Sequence, residues 1–240
     1  MICSMAKLAL IPARGGSKRL PRKNALPFLG RPMLAYSVEA ALRSGCFDRV
    51  LVSTDDDEIA RLAVDCGAEV DRRPPALGSD TASVAEVCLE LLDREAAAGR
   101  TYRQLCVLYA TAPLRDADDI RAVMGLLQPG HCDFSIAATT YTHYPYQALR
   151  YGEDGAASPM WPELCNRPSR EFGALVAGNG STYAVDVEAF RREREFYGTG
   201  MRAHLMPFAR SVDIDTLDDF RLAECLARGL MGYAPDTAAG

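Results

Sequence analysis

The sequence predicts an α/β protein of three layers, with helices on both faces of a mostly parallel sheet. Short apolar runs alternate with longer amphipathic ones along most of the 240 residues, the pattern of βα units that build such a sheet. At 48% apolar and 25% charged, the chain is large enough for one domain with its own core. One stretch rich in proline and tyrosine interrupts the alternation. The expected layout is therefore a single domain over 1–228, an insertion over about 141–178 and a flexible tail over 229–240.

Strands are expected at Leu8–Pro12, Val50–Ser53, Ala68–Val70, Leu105–Leu108 and Phe134–Ala138, where apolar residues cluster between turn formers. Pro32–Ser44 reads as a helix. Pro32 suits a first turn, apolar residues return at helical spacing, and Gly45 can take the left-handed conformation that closes a helix. Asp57–Asp65, Thr81–Ala98 and Asp116–Leu127 carry the same spacing, with Asp56 placed to cap the first of them. From Tyr141 to Gly178 the pattern fails. Pro145, Pro159, Pro162 and Pro168 lie there with four tyrosines and the only tryptophan, Trp161, as in an insertion carrying its own hairpin or loops. Beyond it, Ser181–Val185 and His204–Pro207 read as strands, Thr216–Ala227 as a helix and Pro235–Gly240 as a frayed end.

Composition narrows the partners. A net charge of −5 argues against a surface adapted to nucleic acid or an anionic membrane, which normally needs a clustered basic face. No run approaches the ~20 apolar residues that span a bilayer, and Leu8–Ile11 is too short for a signal-peptide core. The expected compartment is the cytoplasm. Eight cysteines are scattered without a CxxC pair, several in apolar runs, which argues against a disulfide or zinc framework.

Against this acidic background, Ala13–Asn24 packs Arg14, Lys18, Arg19, Arg22 and Lys23 around the adjacent Gly15 and Gly16, directly after the first strand. Glycines let backbone N–H groups approach a phosphate, and cations at the carboxyl end of a strand neutralise it. Lys18, Arg19 and Arg22 also fit a solvated role. Neither GxxxxGK[ST] nor a GxGxxG opening a helix is present, so P-loop kinases and NAD enzymes are disfavoured. Far along the chain, Asp213 and Asp215 alternate on an extended segment, which turns both carboxylates to one side. Capping of the next helix by Asp215 or Thr216 is the competing reading.

The run Ile11-Pro12-Ala13-Arg14-Gly15-Gly16-Ser17-Lys18-Arg19-Leu20-Pro21-Arg22-Lys23-Asn24 closely resembles the opening of acylneuraminate cytidylyltransferases, the CMP-sialic acid synthetases. The resemblance continues through Arg31-Pro32-Met33, Val52–Asp56, Arg73–Thr81, Thr111–Arg115 and Asp213–Asp219, covering most of residues 7–228. It implies the Rossmann-like nucleotide-diphospho-sugar transferase fold, with the insertion serving dimerisation. It also implies that the anomeric hydroxyl of a nine-carbon 2-keto-3-deoxy sugar acid attacks the α-phosphorus of CTP, releasing pyrophosphate.

On that resemblance, Arg14 and Lys23 meet phosphate and transition-state charge, the backbone of Ala13, Gly15, Gly16 and Ser17 wraps the triphosphate, and Asn24 braces the loop. Arg73, rather than its neighbour Arg72, and Ser83 approach the nucleotide. Asp213 and Asp215 hold magnesium, with Asp55 in a supporting place. Tyr109, Arg167, Asn179 and Tyr183 fall on the sugar side, where a guanidinium such as Arg167 suits a carboxylate. A homodimer is implied.

The sugar-side motifs point two ways. Tyr109 stands where sialic acid synthetases have glutamine, as in pseudaminic acid cytidylyltransferases, whereas Gly178–Tyr183 resembles the sialic acid branch. The rival readings are 3-deoxy-manno-octulosonate cytidylyltransferase, which lacks the Gly15-Gly16 pair, sugar-1-phosphate nucleotidyltransferases, and a nucleotide-binding homologue without turnover.

Overall fold

The structure, a computed structural model, describes residues 6–74 and 83–232. In chain order its elements are β1 (Lys7–Pro12), β2 (Pro27–Phe28), β3 (Arg31–Pro32), α1 (Met33–Ser44), β4 (Arg49–Thr54), α2 (Asp57–Asp65), β5 (Glu69–Arg72), α3 (Val84–Ala97), β6 (Gln104–Leu108), α4 (Ala117–Leu126) and β7 (Phe134–Thr140). They continue with β8 (Leu149–Tyr151), β9 (Ala157–Pro159), β10 (Val176–Asp186), α5 (Val187–Glu193), β11 (Arg202–Leu205) and α6 (Leu217–Gly232).

The main sheet has the order β11-β7-β10-β6-β1-β4-β5. β1 shows why it is covered on both faces: Leu8, Ala9, Leu10 and Ile11 are all fully buried. Ala9 and Ile11 pack with Leu34, Val38, Ile59 and Ile120 of α1, α2 and α4, whereas Leu8 and Leu10 pack with Leu91 and Phe190 of α3 and α5. Each such Leu or Ile contributes about 1.5–3 kcal/mol by leaving water. A third cluster sets Phe220, Ala223 and Ala227 of α6 against Leu20, Phe28, Met33 and Ile214, tying the far end of the chain to the loop after β1.

The helix signals at Gly45 and Asp56 act as expected: Gly45 closes α1 with φ of 63°, and Asp56 accepts from the amides of Glu58 and Ile59 to cap α2. Ser83, expected to approach the nucleotide, forms a capping box with Glu86 at the start of α3. Thr81 and Ala82, expected at the start of that helix, lie outside the described residues, as do Cys3 and Pro235–Gly240.

The architecture differs from expectation in three places. β10 is antiparallel to both β6 and β7, because no crossover helix separates it from β7. The insertion leaves and re-enters at one edge of the sheet, so the next strand must run back. α5 spans only seven residues, too few for a periodic signal, and was not foreseen. α6 continues to Gly232, past the boundary drawn at 228. The insertion does hold the expected hairpin, β8 with β9, and Tyr146 stacks on Phe172 at 4.0 Å. Among the described residues no helix is long and apolar enough to cross a membrane, and the described cysteines are unpaired thiols.

Candidate active site

β1, β4, β5 and β6 are parallel, so their carboxyl ends share one edge. After β1 the chain adds β4 and β5 on one side and then β6 on the other. The loops leaving β1 and β6 therefore diverge and open a crevice, where α/β proteins place ligands. The cleft there is about 470 Å³ and is lined by Arg14, Ser17, Lys18, Arg19, Lys23 and Asn24 on one wall. Arg73, Tyr109, Thr111 and Asp215 face them, and Pro12, Val84 and Val87 add an apolar flank. A larger cavity of about 550 Å³ lies between α1, α4 and α6, but the convergent cations and Asp215 make the smaller one the candidate site.

The loop is held locally. Ala13 extends the pairing of β1 by donating to the Ser53 carbonyl at 2.9 Å, and Asn24 Nδ2 donates to the Arg14 carbonyl at 3.0 Å, the expected brace. Gly15 is needed for close approach, since a Cβ there would lie 2.7 Å from Asp56 Oδ2. Its amide differs from the expectation of an open phosphate donor: it donates to Asp55 Oδ1 at 2.9 Å. No contact is close to a Cβ built at Gly16. Arg22 takes the left-handed region, φ 55°, at a local cost of about 1–2 kcal/mol. That conformation enters the 3-10 turn Lys23–Ala25, and Arg22 pairs with Glu58.

The acidic segment arrives from the other end of the chain. β11 runs parallel to β7 and delivers Met206–Asp215 to the same edge. The Ile214 amide donates to the Thr111 carbonyl at 2.8 Å and its side chain is buried, which leaves Asp213 and Asp215 on the opposite side. Lys23 Nζ sits 2.8 Å from Asp215 Oδ1, and Arg19 Nη2 sits 2.6 Å from Asp215 Oδ2. Capping of α6 falls to Thr216 and Asp219: the Asp219 amide donates to Thr216 Oγ1 and the Thr216 amide to Asp219 Oδ2. The competing capping role is thus met without the Asp215 side chain.

Electrostatics separate the two carboxyls. Asp213 keeps contact with water but is hemmed in by protein. That partial burial raises it above the usual range; a Thr111 hydrogen bond and Lys23 oppose the shift and the Asp215 charge adds to it. Burial also works against ionisation of Asp215, but Lys23 and Arg19 outweigh it and hold this carboxyl low. Arg73 donates to Ser53 Oγ and to the Ser53 carbonyl, and burial lowers it, with Asp55 and Asp71 opposing. Arg72 instead meets Asp57 at the surface, whereas Arg73 lines the cleft.

The remaining candidates divide. Tyr109 lines the cleft and meets Tyr183 edge-on at 5.8 Å, and Tyr183 continues to Tyr197 at 6.0 Å. Ser83 spends its hydroxyl on the α3 cap. Asn179 is buried behind the bulge of β10, where it holds Ser211, the Met206 sulfur and both polar groups of Ser181. Arg167 lies in the insertion outside this cleft, paired with Glu171 at 2.8 Å and over the Phe172 ring. Residues not flagged in advance are Thr111 and Tyr197, while Arg19, read as solvated, pairs with Asp215. Thr111 and Tyr197 belong to no charged or glycine-rich cluster that spacing could reveal.

Fold and cleft together define a nucleotidyltransferase-like α/β protein, with a cationic loop paired to Asp215. Residues 8–140 match the family model described as cytidylyltransferase. The chain is 34% identical over 224 residues to pseudaminic acid cytidylyltransferase of Campylobacter jejuni, covering 92% of this chain and 96% of that one. It is 31% identical over 232 residues to CMP-N,N'-diacetyllegionaminic acid synthase of Legionella pneumophila, covering 92% and 96%. It is also 31% identical over 216 residues to N-acylneuraminate cytidylyltransferase of Escherichia coli, covering 90% of this chain and 51% of that protein. Among solved structures, CMP:2-keto-3-deoxy-manno-octonic acid synthetase complexed with CTP superposes with a TM-score of 0.68 at 17% identity, over 94% of this chain and 99% of the other. The corresponding TM-score for 4-diphosphocytidyl-2C-methyl-D-erythritol synthase from Anaerococcus prevotii is 0.62 at 14% identity, over 93% and 98%. These two likenesses bear on the fold alone. The chain belongs to the cytidylyltransferase family, as its opening motif led us to expect.

Proposed function

We propose that this chain transfers CMP from CTP to the anomeric hydroxyl of a nine-carbon 2-keto-3-deoxy sugar acid, a nonulosonic acid, and releases pyrophosphate. The observation that carries the reading is the contact of Lys23 with Asp215 across 192 residues, which joins the phosphate loop and the acidic pair in one cleft. In the reaction the hydroxyl oxygen bonds to the α-phosphorus, the bond from that phosphorus to the bridging oxygen breaks, and pyrophosphate leaves with that oxygen. Such a displacement calls for positioning and charge stabilisation more than for a protein nucleophile.

Arg14, Lys18 and Lys23 line the cleft where the triphosphate would lie. Pro12, Val84 and Val87 offer the base an apolar flank. Asp213 and Asp215 fit a magnesium ion: they present hard oxygen donors, and the Asp213 carboxyl is raised in part by a like charge that a cation would relieve. A magnesium ion held by these two carboxylates would complete its shell with waters and phosphate oxygens. Bound there, magnesium would neutralise charge on the phosphates. Tyr109 and Tyr183 would face the sugar. Exposed Leu149, Tyr151, Met160 and Val176 in and beside the insertion hairpin support a homodimer through that region. Use of CTP supports the cytoplasm as the compartment.

The 3-deoxy-manno-octulosonate alternative is supported by fold only, at 17% identity, whereas relatives above 30% are named for nine-carbon acids. A coupled pyrophosphate assay with CTP, magnesium and a panel of eight- and nine-carbon acids tests the reading. Absence of release with every acid, despite CTP binding, would sink it.

A further inference from the structure

The segment between β6 and α4 carries Tyr109 and Thr111 into the cleft, and a charged side chain underneath it has no part in the chemistry above. Arg115 is 2% exposed, yet among the described residues no carboxylate pairs with it. Its Nη2 donates to Ser37 Oγ at 2.6 Å and reaches the Tyr109 carbonyl at 3.4 Å. Ser37, fully buried on α1, donates to the same carbonyl at 3.1 Å. Among the described residues the Nε and Nη1 donors of Arg115 have no hydrogen-bond partner. A guanidinium hydrogen-bonded only to neutral oxygens, with the Asp119 and Asp116 charges acting on it from a distance, is a costly thing to bury, and an apolar side chain of similar length would fill the space without that penalty. Burial lowers Arg115 to about 10, so it stays charged at neutral pH.

What an apolar chain cannot do is grip a carbonyl. Tyr109 is the first residue past β6. Its amide is held by the Ser181 carbonyl of β10 at 3.1 Å, and its own carbonyl is turned toward α1, where Ser37 and Arg115 meet it. Two residues on, the Thr111 carbonyl receives the Ile214 amide, and the Thr111 side chain bonds Asp213. The placement of this segment is therefore passed to the acidic pair.

We propose that Arg115 is a positioning residue: with Ser37 it clamps the Tyr109 carbonyl from behind the cleft, setting where Tyr109 and Thr111 stand and, through Thr111, where Asp213 stands. Its effect on turnover rests on the cytidylyltransferase reading; its effect on the segment does not. The phosphate loop makes no use of the clamp, so the loss falls on turnover more than on CTP affinity.

The test compares Arg115→Met, Arg115→Lys and Ser37→Ala with the natural chain by amide hydrogen exchange, thermal unfolding and steady-state kinetics. In Arg115→Met, protection of the Tyr109 and Ile214 amides should fall about tenfold or more while β1 amides keep theirs. kcat should fall about tenfold or more with the KM for CTP within about twofold. Arg115→Lys, a point donor in place of a fork, should recover part of both signals, and Ser37→Ala should show a smaller version of the same pattern. Unchanged exchange at Tyr109 and Ile214 overturns the proposal, and so does a loss of protection spread evenly over the sheet with activity tracking the folded fraction. If the natural chain releases no pyrophosphate while Arg115→Met still loosens those two amides, the enzymatic reading falls and the clamp stands.

Discussion

Asp215 is the residue on which the two halves of the cleft meet, so replacing it with asparagine asks the sharpest question. The carboxylate makes contacts of 2.8 Å to Lys23 and 2.6 Å to Arg19. Partial exposure of Asp215 and the sharing of its charge limit the net contribution of these contacts to about 1 kcal/mol. The substitution also removes the charge that helps to raise Asp213, a relief of similar size and opposite sign. Asp215→Asn should therefore change folding stability by less than about 1 kcal/mol. Turnover should behave differently. Losing one preorganised charge next to the reacting phosphates costs about 100- to 1000-fold in kcat, and the dependence of rate on magnesium should flatten.

Lys23→Met completes the cycle. It leaves Asp215 with Arg19 alone beside a second carboxylate, so stability should fall by about 1–2 kcal/mol. In the double variant stability should return toward that of Asp215→Asn, while turnover falls little below that of either single variant, because groups that act together are not additive. Thermal unfolding and a coupled pyrophosphate assay read both quantities. Unimpaired turnover in Asp215→Asn would refute the metal role. Stability effects that add to within about 0.5 kcal/mol would show that the Lys23–Asp215 contact is not formed in solution.

Gly15→Ala should raise the KM for CTP about tenfold or more, because its Cβ would stand 2.7 Å from Asp56 Oδ2. Asp56 cannot swing away without uncapping α2 at about 1 kcal/mol; an unchanged KM would show that the loop relaxes freely. Glu95 is held at about 2 by its hydrogen bonds to Arg100, helped by Tyr102 and Arg49. Its folded value lies below the unfolded one, so it adds stability above about pH 4.5 that is lost as pH falls toward 2. Glu95→Gln should lower stability by about 2 kcal/mol at neutral pH and flatten the unfolding midpoint across that acid window; an equally steep acid loss in the variant would assign it elsewhere. Leu149→Asp with Tyr151→Asp, at side chains 59% and 79% exposed, should convert a dimer to monomers in sedimentation. A natural chain that already sediments as a monomer would end the dimer reading.

Legibility in the sequence followed how local each requirement is. The loop at Ala13–Asn24 could be read because its parts answer to neighbours in the chain: Asn24 braces Arg14 ten residues away, and Arg22 turns the backbone directly ahead of Lys23. Gly45 and Asp56 were legible for the same reason, since a cap acts within one helical turn. The reversal of β10 was not, because its direction depends on where the insertion re-enters and not on the residues of the strand.

The sugar side shows the limit of such reading more sharply. The family resemblance put Tyr109 on the sugar side, and Tyr109 lines the cleft beside Tyr183, but the resemblance also named Asn179 and Arg167 there and Ser83 at the nucleotide, and their polar groups are engaged in a bulge, an ion pair and a helix cap. Each has a side chain suited to substrate, and each is committed by neighbours that spacing does not reveal. Thr111 carries no such chemical signal, yet its carbonyl and side chain hold the acidic segment in place. Asp215 illustrates how such an ambiguity is resolved physically. Asp and Thr both suit the start of α6, and only the pairing of Thr216 with Asp219 leaves the Asp215 carboxylate to the cations. A carboxylate beside a helix start is available for chemistry when a neighbour already caps the helix, and that condition can be checked in any sequence by looking three residues past the Thr for an acid, as at Asp219.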